Sequence, residues 1–257
     1  MKARTAAFPW QNGRPPHLPC GPGDIAPVVL LPGDPARVSL AAALYGGVRD
    51  FGQRREFRVA TVETPSGPVS ICSSGIGGPS TEIALVELAN LGARAVIRIG
   101  GMGAIAPGLQ LGSMLAVDAA IGGTGAGGLY RSGPAVATPA VVAALETAAR
   151  DLKLECRRGT VATTDSYYRG QGRPIAQDGP VVADPIPAFV AAGALGCDME
   201  TETLFTVGPA LGLQVGAILA VHGDRVTDTW LEDYEPAQTS VVRVGVAAAA
   251  LLEPLLR

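Results

Sequence analysis

The residues of this 257-residue chain best equipped for chemistry are three arginines set among glycine turns. In Ala95-Val-Ile-Arg-Ile-Gly-Gly-Met-Gly-Ala-Ile105 an apolar strand carries Arg98 and ends in a glycine-rich turn. Such a strand is covered on both faces, and a guanidinium there is too costly to leave unpaired. Either a bound anion or an acidic side chain must complete it. Arg37 follows the turn Gly33-Asp34-Pro35 after another apolar run, and Arg55 stands in a third segment. A phosphate needs turn amides together with guanidinium groups that bind two oxygens at once. Three arginines in such settings favour an anion pocket over three separate surface charges.

Two further segments offer polar groups to a small organic ligand. Cys197-Asp-Met-Glu-Thr-Glu202 places acids at the start of an apolar helix, where the helix dipole favours them. Glu200 there is also an ionised acceptor suited to the paired hydroxyls of a sugar. Thr164-Asp-Ser-Tyr-Tyr-Arg-Gly-Gln-Gly-Arg173 reads either as a solvated loop or as a recognition segment. In the second case Tyr167 stacks on a planar ring, and Gln171 with Arg173 reads its carbonyl and imide edge. Only two histidines exist, His17 and His222, and neither is accompanied by clustered metal ligands. No Ser-His-Asp or Cys-His order is visible.

The elements that must position these groups alternate. Strand-like runs cover residues 28–31, 69–73, 95–99, 114–119, 159–164 and 215–221, with helical patterns over 79–91, 138–152 and 199–211. Alternation of this kind is an α/β fold, whose ligands sit beyond the carboxyl ends of strands. Residues 32–37, 74–80 and 100–103 fall there. Residues 1–23 read as a proline-rich, extended arm and residues 24–257 as a single domain. A composition of 47% hydrophobic and 5% aromatic residues suits helices packed closely on a parallel sheet. A net charge of −3 excludes a basic stripe for nucleic acid. Four cysteines without C-x-x-C spacing signal neither zinc nor a disulfide framework and fit a reduced cytoplasm. No leader segment is evident, and no apolar run approaches the ~18 residues that cross a bilayer. Residues 122–128 read as a flexible loop. Their G-x-G-x-x-G at Gly123, Gly125 and Gly128 lacks the following helix of a dinucleotide site, and no P-loop is present.

Together, Leu31-Pro-Gly-Asp-Pro-Ala-Arg37, Arg55-Glu-Phe57, Cys72-Ser-Ser-Gly-Ile-Gly-Gly-Pro-Ser80, Arg98-Ile-Gly100 and Asp198-Met-Glu200 resemble the nucleoside phosphorylase family. That family contains uridine phosphorylases and hexameric purine nucleoside phosphorylases, and the chain resembles the former more. The likeness runs from about His17 nearly to the C-terminus. It implies a central twisted mixed sheet or distorted barrel flanked by helices, and a homo-hexamer built as a trimer of dimers. It also implies inorganic phosphate as co-substrate and no organic cofactor. Gly33, Arg37, Arg55, Arg98 and the turn at Gly101 would hold phosphate, with Arg55 donated by a neighbouring subunit. Met199 and Glu200 would hold the ribose, and His17 would reach a partner's site to meet the sugar 5′-hydroxyl. Tyr167 takes the place of the aromatic that stacks on the base. Gln171 and Arg173 match the pair that reads the uracil edge, and Arg225 resembles a second arginine near the uracil oxygen. Glu56, Ile76 and Ser80 match an intersubunit potassium site of some members.

The chain departs from the family pattern twice. Members usually carry Thr or Ser and then Thr or Cys after the Arg98 strand, whereas Gly101 and Met102 stand here. A lost hydroxyl donor to a charged ligand costs about 1.5–3 kcal/mol unless another group substitutes. The second departure, Val221-His-Gly-Asp-Arg225, is of neither the purine nor the uridine type. The resemblance leads us to expect reversible phosphorolysis of a ribonucleoside, uridine or a related pyrimidine nucleoside, to free base and ribose 1-phosphate. Arg98 and Glu200 stand at its centre. Asp224 or His222 could protonate a purine leaving group, which keeps a purine nucleoside phosphorylase as the alternative, ahead of a hydrolase or a nucleoside-binding protein of the same fold.

Overall fold

Strands and helices alternate as expected in the structure, a computed structural model that describes residues 4–256. The first three residues of the expected arm lie outside the described residues. In chain order the elements are β1 (Val28–Leu31), α1 (Pro35–Leu44), β2 (Arg49–Arg54), β3 (Phe57–Thr64), β4 (Gly67–Cys72), α2 (Gly78–Asn90) and β5 (Ala95–Ala104). There follow β6 (Met114–Gly123), α3 (Gly125–Gly128), β7 (Ala135–Val136), α4 (Pro139–Asp151), β8 (Cys156–Thr164) and α5 (Ile186–Ala191). The chain ends with β9 (Ala194–Asp198), α6 (Thr201–Ala210), β10 (Gln214–Asp224), β11 (Thr229–Trp230) and α7 (Glu235–Leu252).

The longest run of pairing organises the sheet. Along one edge β5 runs parallel to β10 from Ala95 to Ala104. Its other edge is divided, with residues 95–98 paired to β1 and Gly103 and Ala104 paired antiparallel to β9. Because β10 pairs β6, β6 pairs β8 and β8 pairs β9, strands β5, β10, β6, β8 and β9 close into a barrel. Closure leaves these strands without a free edge. From β1 the sheet continues outward through β4, β3 and β2. This is the mixed, distorted barrel that the family resemblance implies.

Alternation along β5 decides where its charge goes. Val96 joins a core cluster with Leu85, Leu88, Leu204 and Phe205 of α2 and α6, whereas Ile97 and Ile99 join another with Val241, Val242 and Leu252 of α7. Side chains alternate across a strand, so Arg98 shares the Val96 face and lies on the side of α2 and α6.

Three features differ from the sequence expectation. The arm is not a separate extension, since Leu18 and Cys20 are buried in the main core. Residues 122–128 are not a loose loop but the end of β6 and the single turn of α3. Thr124 caps that turn and donates from both its backbone N–H and its hydroxyl to the buried Glu202. Gly127 is there for close approach, because a Cβ on it would stand 2.4 Å from Glu202 Oε2. Finally, α7 is 18 residues long and apolar enough to cross a membrane by length and composition, but half of its apolar stretch is buried against the sheet. Its valine-rich sequence hides the helical period.

α7 meets the sheet closely at Gly245, where a Cβ would stand 2.8 Å from Ile99 Cγ2 and 3.1 Å from Leu30 Cδ2. Overpacking of this kind costs about 1–3 kcal/mol. Gly245→Val should therefore lower the urea midpoint by that amount of stability. An unchanged midpoint would mean that α7 does not pack on the barrel in this way.

Candidate active site

A cavity of about 730 Å³ opens beyond the carboxyl ends of β1, β4 and β5, within the size range of small-molecule sites. The structure brings most of the expected residues to it. Gly33, Arg37, Arg98, Gly101, Met199, Glu200, Tyr167, Gln171 and Arg173 all line it, with His222, Glu56, Ile76 and Ser80 also in the wall. His17, Arg55, Asp224 and Arg225 are not among the lining residues.

Arg98 has found its anions within the protein. Its Nε donates to Asp198 Oδ2 at 3.0 Å, and its Nη2 lies 2.6 Å from Glu200 Oε2. Gly100 makes the turn-back possible, since a Cβ there would stand 2.8 Å from the guanidinium carbon. Burial works against the Arg98 charge, but Glu200 and Asp198 outweigh it and hold the pKa above the ordinary arginine value. Asp198 is fully engaged, accepting also from Thr163 Oγ1 at 2.7 Å and from the Thr201 N–H and hydroxyl at the start of α6. Glu200 Oε1 accepts from the Gly77 N–H at 2.6 Å, and burial pushes its carboxyl upward against the pull of Arg98.

Arg37 carries the uncompensated charge. Asp34 caps α1 and Pro35 opens it, which brings Arg37 round in the first turn. Its Nη1 donates to the Ile99 carbonyl at 2.8 Å, and its buried Nε has no partner among the described residues. Burial first, and then the like charge of Arg98, lower its pKa to about 10. An anion in the cavity would relieve both.

Gln171 is buried and locked. Its Oε1 accepts from Arg173 Nη1 at 2.6 Å, and its Nε2 donates to the Asp198 carbonyl at 3.3 Å. The Arg173 guanidinium lies 3.9 Å over the Tyr167 ring. Arg225 reaches the backbone instead of the cavity, donating to the carbonyls of Gln171 and Gly172 at 2.7 and 3.0 Å. Asp224 is spent on its own turn, accepting from the Val226 N–H and the Thr227 hydroxyl. His17 lies beside Glu87, with Nδ1 at 2.6 Å, and Arg55 is exposed in the β2–β3 turn at φ +55°. Sequence reasoning passed over Trp230, which lines the cavity, and gave Asp198 no role beyond the acidic block. Trp230 comes from a two-residue strand with no periodic signal, and Asp198 declares itself only once β9 pairs with β5.

The chain as a whole is similar to known proteins. Residues 27–257 match the family model described as the phosphorylase superfamily. A uridine phosphorylase from Thermococcus kodakarensis is 40% identical over 85% of this chain and 80% of its own length. A uridine phosphorylase from Treponema pallidum is 35% identical over 92% of this chain and 93% of its own. Among solved structures, purine nucleoside phosphorylase from Toxoplasma gondii in complex with immucillin-H superposes with a TM-score of 0.84 at 30% identity, covering 96% of this chain and 99% of the other.

Burial, reinforced by the charges of Arg37 and Arg98, pushes His222 down from 6.5 to about 4. An unfolded histidine takes up its proton near pH 6.5, and folded His222 does so only near 4, so His222 erodes stability as pH falls through that window. His222→Gln should make the loss of stability between pH 6.5 and 4 shallower. With only two histidines in the chain, a proton NMR titration also resolves the site. A His222 resonance titrating near 6.5 would contradict the buried, neutral imidazole.

Proposed function

The chain belongs to the phosphorylase superfamily and catalyses phosphorolysis of a ribonucleoside, and from that premise we propose that its substrate is uridine or a related pyrimidine nucleoside, cleaved reversibly to free base and ribose 1-phosphate. The observation that carries the base assignment is the locked Gln171–Arg173 pair in the cavity wall, beside Tyr167. A fixed amide and guanidinium suit the carbonyl and imide edge of uracil. Arg225 supports this edge by holding the backbone of residues 171 and 172. A purine leaving group asks for an acid at its ring nitrogen, and the engagement of Asp224 in its own turn weighs against that reading.

Phosphate belongs beside Arg37, with Gly33 and the Gly101 turn in the same wall. There its oxygen attacks the anomeric carbon while the bond to the base nitrogen breaks and that electron pair leaves with the base. Glu200 and Met199 hold the ribose, and Arg173 meets the charge that grows on the departing ring. Positioning and preorganised charge then supply most of the rate.

The same reading includes a homo-hexamer, a trimer of dimers, in the cytoplasm. It draws support from His17 and Arg55, which stand outside their own subunit's cavity, and from Ile76, 78% exposed at its rim. Four free cysteines suit reducing surroundings. Potassium between subunits fits the approach of Glu56 and Ser80 around Gly75, whose Cβ would stand 2.7 Å from Glu56 Cγ and 3.5 Å from Ser80 Oγ. Carboxylate, hydroxyl and carbonyl oxygens suit a hard cation.

A panel of nucleosides assayed with and without inorganic phosphate tests the substrate. Uridine should be cleaved in a phosphate-dependent manner and well ahead of inosine and adenosine. Cleavage of inosine or adenosine with none of uridine would overturn the pyrimidine assignment, and base release without phosphate would point to a hydrolase. The shared site has its own test. Mixed hexamers of inactive His17→Ala and inactive Glu200→Ala subunits should regain part of the activity, and confirmed hetero-oligomers that stay inactive would place His17 outside the partner's site.

A further inference from the structure

The bulge in β10 places one residue where the sheet has no slot for it. Val221 pairs with Met102 and Gly223 pairs with Gly103, which leaves His222 as the extra residue of the bulge. A bulge of this kind re-aims the side chain it carries. His222 turns back over β5, so that a Cβ on Gly101 would stand 2.3 Å from both Cε1 and Nδ1 of the imidazole. No side chain at 101 can share that space with the ring. The ring packs edge-on against Tyr234 at 5.0 Å, while the His222 carbonyl accepts from the Leu231 N–H at 2.8 Å. Backbone and ring are therefore both held. Among the described residues neither ring nitrogen has a hydrogen-bond partner, and the residue lines the cavity.

The charged groups that act on this ring are Arg37 and Arg98, which line the same cavity. Accepting the phosphorolysis reading above, we infer that His222 is a phosphate-binding residue: its neutral imidazole N–H supplies, from the β10 bulge, the donor that Gly101 cannot supply from β5. The absent hydroxyl and the unpartnered ring are then two halves of one exchange. A neutral donor is the apt substitute, because it adds a hydrogen bond to the anion without a third full charge beside Arg37 and Arg98. This assigns His222 to the phosphate and not to the leaving base.

Calorimetric titration of inorganic phosphate, with KM for phosphate and for nucleoside measured in parallel, tests the exchange in His222→Ile, His222→Asn, Gly101→Thr and the Gly101→Thr/His222→Ile double variant. His222→Ile should weaken phosphate binding by roughly 10- to 100-fold, the loss expected for one donor to a charged ligand, with nucleoside KM changed less than about twofold. His222→Asn retains a donor and should keep most of the affinity. Gly101→Thr alone should be impaired, since its side chain meets the ring, and the double variant should recover phosphate affinity because the hydroxyl then has room. Equal phosphate binding by wild type and His222→Ile, a rise in nucleoside KM alone, or a double variant no better than His222→Ile would overturn the inference while leaving phosphorolysis intact. Phosphate that fails to bind the wild-type enzyme would overturn both.

Discussion

A guanidinium inside the central strand of a closed barrel has to be neutralised, and the architecture around the cavity answers that demand. Arg98 binds Asp198 at the end of β9 and Glu200 at the entrance to α6. Asp198 is held in turn by Thr163 of β8 and by the first residue of α6, and Glu200 takes the Gly77 N–H just before α2. One buried charge thus ties together β5, β8, β9, α2 and α6. Breaking such a cluster leaves uncompensated buried charge, at a cost of about 3–5 kcal/mol. The residues that hold the ribose in the proposed reaction are accordingly rigid before any substrate arrives.

Balancing Arg98 internally leaves Arg37 as the arginine to which the proposed reaction assigns the anion. With Arg98 already paired, Arg37 keeps a buried Nε without a partner and a pKa lowered to about 10. In the proposed reaction an incoming phosphate would offset a desolvation cost already present in the folded protein, which favours binding over a site that must strip water from an exposed cation. Arg98 is thus paired within the protein, whereas Arg37 keeps an unpartnered donor.

Glycine acts in this site through contact more than through flexibility. Gly100 admits the folded-back Arg98 guanidinium, Gly101 admits His222, and Gly127 admits Glu202. In each case a polar side chain occupies the space a Cβ would take, from two residues away at Gly100 and from a distant part of the chain at Gly101 and Gly127. Glycine-rich sequence reads equally well as loose loop or as close packing, and in residues 122–128 the second reading is the one realised.

The amino-acid sequence by itself determined the α/β alternation, the strand-end position of the glycine turns and the set of residues, Arg37, Arg98, Gln171, Arg173, Met199 and Glu200, that gather at the cavity. Those features are local, carried by apolar periodicity and by short motifs whose spacing survives folding. Tertiary structure decided which anion each arginine meets, because Asp198 and Glu200 lie about a hundred positions from Arg98 and reach it only when β9 closes against β5. It also decided that Arg225 and Asp224 turn away from the cavity while His222 turns into it. The three are near neighbours in sequence, and a single bulged residue in β10 sets their directions through its pairing with β5, a partnership that no local pattern identifies.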